Sequence, residues 1–260
     1  MLDVLKRITG RRGSTPLRDV FIDHEFGFIL YTTAKCGSGS AKEWLLGVKG
    51  IVSEKDIENR SVDARLGNRL HVYMRDPNQG FCATQAELRK YIRRYKNIAV
   101  ARNPYSRVVS FYCDKVLKEE NRLPSLNIKH RVPYPTDMTF RELVARIGEI
   151  PDDEIEPHLR SQAHGREDIE FDHVVKIEHF DQDIQRVSAD LGIPELRCRL
   201  HRNRTTYIDT PEEFVYDKRP VEFCAGKPPA YPYFFDDALT RQIGERYRKD
   251  IEKFDYKFSE

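Results

Sequence analysis

Residues 27–46 read GFILYTTAKCGSGSAKEWLL. The apolar and β-branched run Phe28-Ile29-Leu30-Tyr31-Thr32-Thr33 has the character of a buried strand. It breaks into Lys35-Cys36-Gly37-Ser38-Gly39-Ser40 and resumes as a helix through Trp44, Leu45 and Leu46. Strand, Gly/Ser loop and helix in that order aim backbone N–H groups at an anion, with the positive end of the helix dipole behind them. Lys35 adds a mobile positive charge, and Ser38 and Ser40 add hydroxyl donors. In the nucleotide-triphosphatase loop GxxxxGK[ST] the lysine follows the last glycine, whereas Lys35 precedes the glycines here. A tight Gly/Ser turn with a solvated lysine is the plain alternative.

Outward from this stretch, strands alternate with helices. Phe21-Ile22-Asp23 lies upstream as a strand or the first arm of a hairpin, behind a basic, irregular lead-in over residues 1–20. Downstream, Arg69-Leu70-His71-Val72-Tyr73-Met74 alternates and reads as a second strand. Thr84-Gln85-Ala86-Glu87 is a capping box that opens a helix through Tyr95. Residues 97–102, NIAVAR, form a third strand that runs into Asn103-Pro104, an N-cap followed by proline at the first helical position. Thr139-Phe140-Arg141-Glu142 is another capping box, and residues 171–177, FDHVVKI, read as a fourth strand. Phe180, Ile184, Val187 and Leu191 share one helix face that ends at Gly192. A long proline-rich loop spans 219–232, and Leu239, Ile243, Tyr247 and Ile251 mark a last amphipathic helix. The pattern predicts an α/β fold with a mainly parallel sheet, whose ligands sit beyond the strands' C-terminal ends. Residues 34–40 and 102–104 both fall on that edge.

The chain has 260 residues, 39% of them hydrophobic and 33% charged, which suits one large domain or two small ones. A formal net charge of +2 argues against a generic polyanion binder, so no nucleic-acid partner is expected. Basic clusters at 89–96 and 197–204 still allow a local anion site. No apolar run reaches membrane-spanning length, and no signal core opens the sequence. Five cysteines without a CxxC pair or metal-ligand spacing predict reduced thiols, a cytoplasmic location and no metal site.

A second anion site follows from Arg102. A guanidinium at a strand end, and the Ser110 hydroxyl two turns along the next helix, suit one phosphate. Two such sites on adjacent strand ends suggest a nucleoside phosphorylated at both ends. Here the sequence resembles sulfotransferases that use 3′-phosphoadenosine 5′-phosphosulfate (PAPS). Residues 31–40, YTTAKCGSGS, are similar to their 5′-phosphosulfate loop. Residues 101–112, ARNPYSRVVSFY, are similar to their 3′-phosphate motif R-[DN]-P-Y-x-R-x-x-S-x-Y. The variety is that of the Golgi carbohydrate sulfotransferases and their bacterial relatives. Residues 156–162, EPHLRSQ, resemble the H-x-x-x-Q segment, residues 172–183 the D-x-V-x-K-x-E strand, and residues 250–256, DIEKFDY, the C-terminal D-[IL]-x-x-F-x-Y. Two departures stand out. Gly39 occupies a position that is commonly threonine, and the Golgi members' membrane anchor is missing, which points to a soluble bacterial-type enzyme.

The resemblance implies a P-loop-like three-layer sandwich in a single domain over 1–260, with its core at about 21–256. It implies transfer of the sulfuryl group from PAPS to an acceptor hydroxyl, most simply on a saccharide, leaving PAP. Lys35 would neutralise the leaving oxygen, Gly37, Ser38, Gly39 and Ser40 would hold the 5′-phosphate, and Arg102 with Ser110 the 3′-phosphate. Arg204 and Thr205 resemble a segment that folds over the nucleotide. His71 is the first candidate general base, with His158 and a carboxylate such as Glu43 or Asp76 as competitors. No metal is demanded. The rival readings are a P-loop-type nucleotide kinase and a catalytically inactive PAP- or glycan-binding module.

Overall fold

The computed structural model describes residues 16–59, 70–76, 79–117, 137–194, 196, 213–223 and 228–258. The chain forms two compact units, residues 1–102 with 165–202, and residues 103–164 with 203–260. In chain order, the first unit opens with β1 (Pro16–Asp23), β2 (Phe28–Tyr31), α1 (Ser38–Val48), α2 (Glu54–Glu58) and α3 (Leu70–Arg75). It continues with β3 (Cys82–Thr84), α4 (Gln85–Tyr91) and β4 (Lys96–Ala101). The second unit then contributes α5 (Pro104–Tyr112) and α6 (Phe140–Gly148). β5 (His173–Lys176) and α7 (Phe180–Leu191) return to the first unit, and α8 (Asp237–Arg246) and α9 (Arg248–Phe254) to the second.

The hairpin between β1 and β2 follows from Asp23 and Gly27. The Asp23 carboxylate accepts the N–H groups of Glu25 and Phe26 at 2.9 and 2.8 Å, and Gly27 takes a φ of +67° to close the turn. The five strands lie in the order β3-β1-β2-β4-β5. β2, β4 and β5 are parallel neighbours, while β1 and β3 run antiparallel on one side. The period-two alternation of each strand fills both faces. Phe21, Phe28, Leu30, Ile98 and Val100 pack with Trp44 and Leu45 of α1, Leu70 and Met74 of α3, and Phe180 and Ile184 of α7. Val20, Ile22, Ile29 and Tyr31 face the other way, against Leu88 of α4 and Ile169. Apolar layers on both sides of a largely parallel sheet give the expected α/β arrangement.

Two local expectations need correction, and one strand was not anticipated. Residues 69–74 form no strand: Leu70–Arg75 is α3. Leu70 and Met74, one helical turn apart, are buried, while Val72 between them is 64% exposed, so burial follows the 3.6-residue period. Residues 16–20 are not irregular, because β1 already begins at Pro16. β3, only three residues long, lies directly before the Thr84 capping box and was not anticipated.

In the second unit the core comes from α5, α6 and α8. Val108, Val109 and Tyr112 pack with Phe140, Leu143 and Ile147, with Leu239 and Ile243, and with Phe234 and Phe235. Asn103 caps α5 through its side chain to the Tyr105 N–H at 3.0 Å, with Pro104 in the first turn. Among the described residues, the proline-rich stretch contains two 3₁₀ turns, Pro220–Glu222 and Tyr231–Phe234. The single last helix read from the sequence divides at Tyr247 into α8 and α9.

Candidate functional site

β2 ends at Tyr31, and the chain then turns through Thr32–Gly37 into α1. Two residues of this turn have left-handed backbone, Lys35 at φ +65° and Gly37 at +69°. Gly37 is the N-cap of α1, no side chain caps that terminus, and the first turn holds no acidic residue. α7 and α9 also lack a side-chain cap but carry Asp181 and Asp183, and Asp250, in their first turns, and the capped helices show a further contrast. Ser53, Thr84, Thr139 and Asp236 each accept a first-turn N–H at the starts of α2, α4, α6 and α8. The N-terminus of α1, with Ser38, Gly39 and Ser40 in its first turn, therefore presents backbone donors and a positive dipole end with no carboxylate to compete for them.

The loop is held from several sides. The Arg102 guanidinium, just past the end of β4, donates through Nη1 to the Lys35 carbonyl at 3.2 Å. Because β2 and β4 are parallel neighbours, Lys35, Gly37–Ser40 and Arg102 gather at the C-terminal edge of the strands. Arg166 was not singled out from the sequence. It donates to Thr33 Oγ1 at 3.1 Å and to the Thr32 carbonyl at 3.0 Å, and it lies over the Tyr31 ring, 5.5 Å from its centroid. No spacing in the sequence signals a contact 133 residues away. Trp44 is fully buried against Phe28 and is a core residue.

Behind the loop sits an ionic cluster that sequence reading also missed. Asp19 Oδ1 lies 3.0 Å from Lys42 Nζ and 2.9 Å from Arg75 Nη2. Burial works to raise the Asp19 carboxyl, and Lys42 and Arg75 outweigh it, holding it below the usual carboxylate range. Burial likewise pulls the Lys42 ammonium below the ordinary lysine value, with Asp19 opposing.

The first unit also carries His71, on α3 rather than on a strand; its side chain lies outside the described residues. The second unit holds Ser110, in the last turns of α5, and His158. Glu156 is nearly buried, and its carboxylate reaches His158 Nδ1 at 2.5 Å and the His158 N–H at 2.6 Å, fixing the imidazole by one ring nitrogen. Just past His158, Ser161 Oγ, the N–H groups of Gln162 and Ala163, and Gln162 Nε2 all donate to Asp250 of α9, which is fully buried. The C-terminal motif thus holds the segment that follows His158. Arg204 and Thr205 lie outside the described residues.

No group of three or more His, Cys, Asp or Glu side chains among the described residues is arranged for a metal. No helix among them is long and apolar enough to cross a membrane. Comparison with family models finds a match, described as the sulfotransferase family, over residues 18–257. No curated protein and no solved structure matches the chain. The matched region takes in both units and nearly the whole sequence, and the chain belongs to the sulfotransferase family.

Proposed function

We propose that this sulfotransferase-family chain transfers the sulfuryl group of PAPS to a hydroxyl of a saccharide acceptor, its two units acting as one domain. The observation that carries the reading is the α1 N-terminus, which has no side-chain cap and is preceded by Lys35 in a loop pinned by Arg102. Backbone donors there suit the 5′-phosphosulfate, so Gly37, Ser38, Gly39 and Ser40 are assigned to it. Since these are mainly backbone donors, Gly39 in place of threonine leaves them intact. PAPS supplies the sulfuryl group and a phosphate leaving group.

Each side chain then has a defined task. Lys35 neutralises charge that develops on the leaving phosphate oxygen. Arg102 binds the 3′-phosphate, joined by the Ser110 hydroxyl, and Arg204 and Thr205 are assigned to the nucleotide as well. A base must take the acceptor's proton. We assign it to His71, with His158 as the alternative. The Glu156 contact at Nδ1 supports that alternative, because it orients the ring and leaves Nε2 to face an acceptor. A sulfuryl group carries less charge than a phosphoryl, so no metal is assigned. Cys36, Cys82 and Cys113 are buried, and we place the chain in a reducing, cytoplasmic setting.

Calorimetric titration with PAP beside ATP, with and without magnesium, tests the reading. Metal-independent PAP binding with weak ATP binding is the expected result. Tight, magnesium-dependent ATP binding would overturn it in favour of a kinase.

A further inference from the structure

Asp19 has a backbone conformation that a strand does not ordinarily contain. Its φ is +63°, and the pairing of β1 with β3 shifts register between Pro16 and Phe21, so the residue sits in an irregularity of the strand. Left-handed backbone within a strand persists only where surrounding contacts fix it, and such positions concentrate at functional sites. The consequence here is geometric. The Asp19 carbonyl accepts the Thr32 N–H at 2.8 Å and the Thr32 hydroxyl at 3.3 Å, at the point where β2 gives way to the anion loop. Its carboxylate meanwhile accepts Lys42 Nζ of α1 at 3.0 Å, and Arg75 Nη2 of α3 at 2.9 and 3.1 Å. Arg166 grips Thr32 and Thr33 as well, so Thr32 is held by both Asp19 and Arg166, and Thr33 by Arg166.

We propose that Asp19 is a positioning residue for the donor loop, and that the Asp19–Lys42–Arg75 cluster couples this loop to α3, the helix that carries His71. The proposal rests on the reading of the loop as the PAPS site. Lys42 is 1% exposed, and an ionic group that deep contributes little to stability compared with a packed apolar side chain. What the cluster supplies is a fixed relation among three elements: the strand end, the first helix and α3. The Cys82 thiol lies in the same electrostatic neighbourhood, and burial followed by the Asp19 charge pushes it up to about 11. It is a neutral bystander at physiological pH.

The test uses Asp19→Asn, which keeps the backbone contacts to Thr32 and removes the charge, with Arg75→Gln as a second variant. Hydrogen exchange in the ligand-free protein reads the loop directly. Residues 32–41 of Asp19→Asn should exchange at least about tenfold faster, since local opening follows the loss of fixing contacts. Arg75→Gln, which leaves the Asp19–Lys42 pair in place, should accelerate exchange in residues 70–76 and lower kcat while PAP affinity stays within about twofold. In the folded Asp19→Asn protein the KM for PAPS should rise, whereas a residue that only stabilises the fold would leave it unchanged. Combining the two substitutions should lower kcat no further than Asp19→Asn alone, because Arg75 reaches the loop through Asp19. Wild-type exchange in residues 32–41 of Asp19→Asn would overturn the proposal. If Asp19→Asn does not fold, wild-type kcat and exchange in Arg75→Gln would overturn it instead. A wild-type protein that binds no PAP would refute the donor reading separately, since the exchange measurement needs no ligand.

Discussion

Replacing Asp250 by asparagine tests how the C-terminal motif supports the segment that carries His158. The aspartate is fully buried, and each carboxylate oxygen accepts two donors. Oδ1 takes Ser161 Oγ at 2.5 Å and the Ala163 N–H at 2.9 Å. Oδ2 takes the Gln162 N–H at 2.9 Å and Gln162 Nε2 at 3.3 Å. Asparagine has the same shape, yet one of its oxygens becomes an NH₂ group. Whichever way the amide turns, its NH₂ faces one fixed backbone N–H, and the side chain beside it, Ser161 or Gln162, loses its charged acceptor. Hydrogen bonds to a charged group are worth about 1.5–3 kcal/mol each, so losing two costs about 3–6 kcal/mol before relaxation. Allowing some relaxation, Asp250→Asn should destabilise by about 3–5 kcal/mol, a fall in Tm of roughly 6–20 °C for a chain of this size. Thermal unfolding followed by circular dichroism, on both proteins in the same buffer, measures it. A shift below about 2 °C would mean that the four contacts contribute no such energy and would refute the reasoning.

Four further outcomes bear on the site. Lys35→Ala should lower turnover about 10²–10³-fold while PAP affinity falls less than about tenfold, and near-wild-type turnover would remove Lys35 from the mechanism. Arg102→Ala should weaken PAP by about 10–100-fold and adenosine 5′-phosphosulfate by much less, the tether to the Lys35 carbonyl being common to both. Equal losses in calorimetry would contradict the 3′-phosphate assignment. His71→Ala should cut kcat about 10²–10⁴-fold, and an unchanged kcat would transfer the role to His158. The acid limb of stability should depend on Asp19 and Asp152. Burial raises each carboxyl, and the cations outweigh it, Lys42 and Arg75 for Asp19 and Arg246 for Asp152, so both lie below their ordinary value of 3.8. Their stabilisation is complete above the unfolded value and is lost as pH falls through the lower folded value. Tm should therefore drop as the medium is taken from about pH 5 to pH 2, and Asp152→Asn should flatten that limb. An identical limb in the variant would show that Asp152 contributes nothing to it.

What could be read from the sequence, and what could not, divides by the range of the signal. The β2–loop–α1 stretch, the caps at Thr84, Asn103 and Thr139, and the Gly192 terminus are local patterns, and the structure contains each of them. α3 is different. In a run of six residues, Leu70, Val72 and Met74 satisfy a period of two as well as Leu70 and Met74 satisfy one turn of helix, and only the exposure of Val72 separates the two. β3 is too short to show any period. The contacts of Asp19 and Arg166 depend on strand irregularity and on residues far apart in the chain, which no local pattern encodes. Likewise the Asp250 clamp joins positions 87–89 residues apart.

The division of the chain into residues 1–102 with 165–202, and 103–164 with 203–260, also limits how such a protein can be rearranged. A cut at any single point leaves at least one unit without part of its sequence, and the passage between Arg102 and Asn103 falls inside the ARNPYSRVVSFY stretch of residues 101–112. Neither half can be transplanted as a single contiguous cassette. Chimeras that aim to exchange acceptor preference would have to replace two separated segments together, with three junctions kept in register.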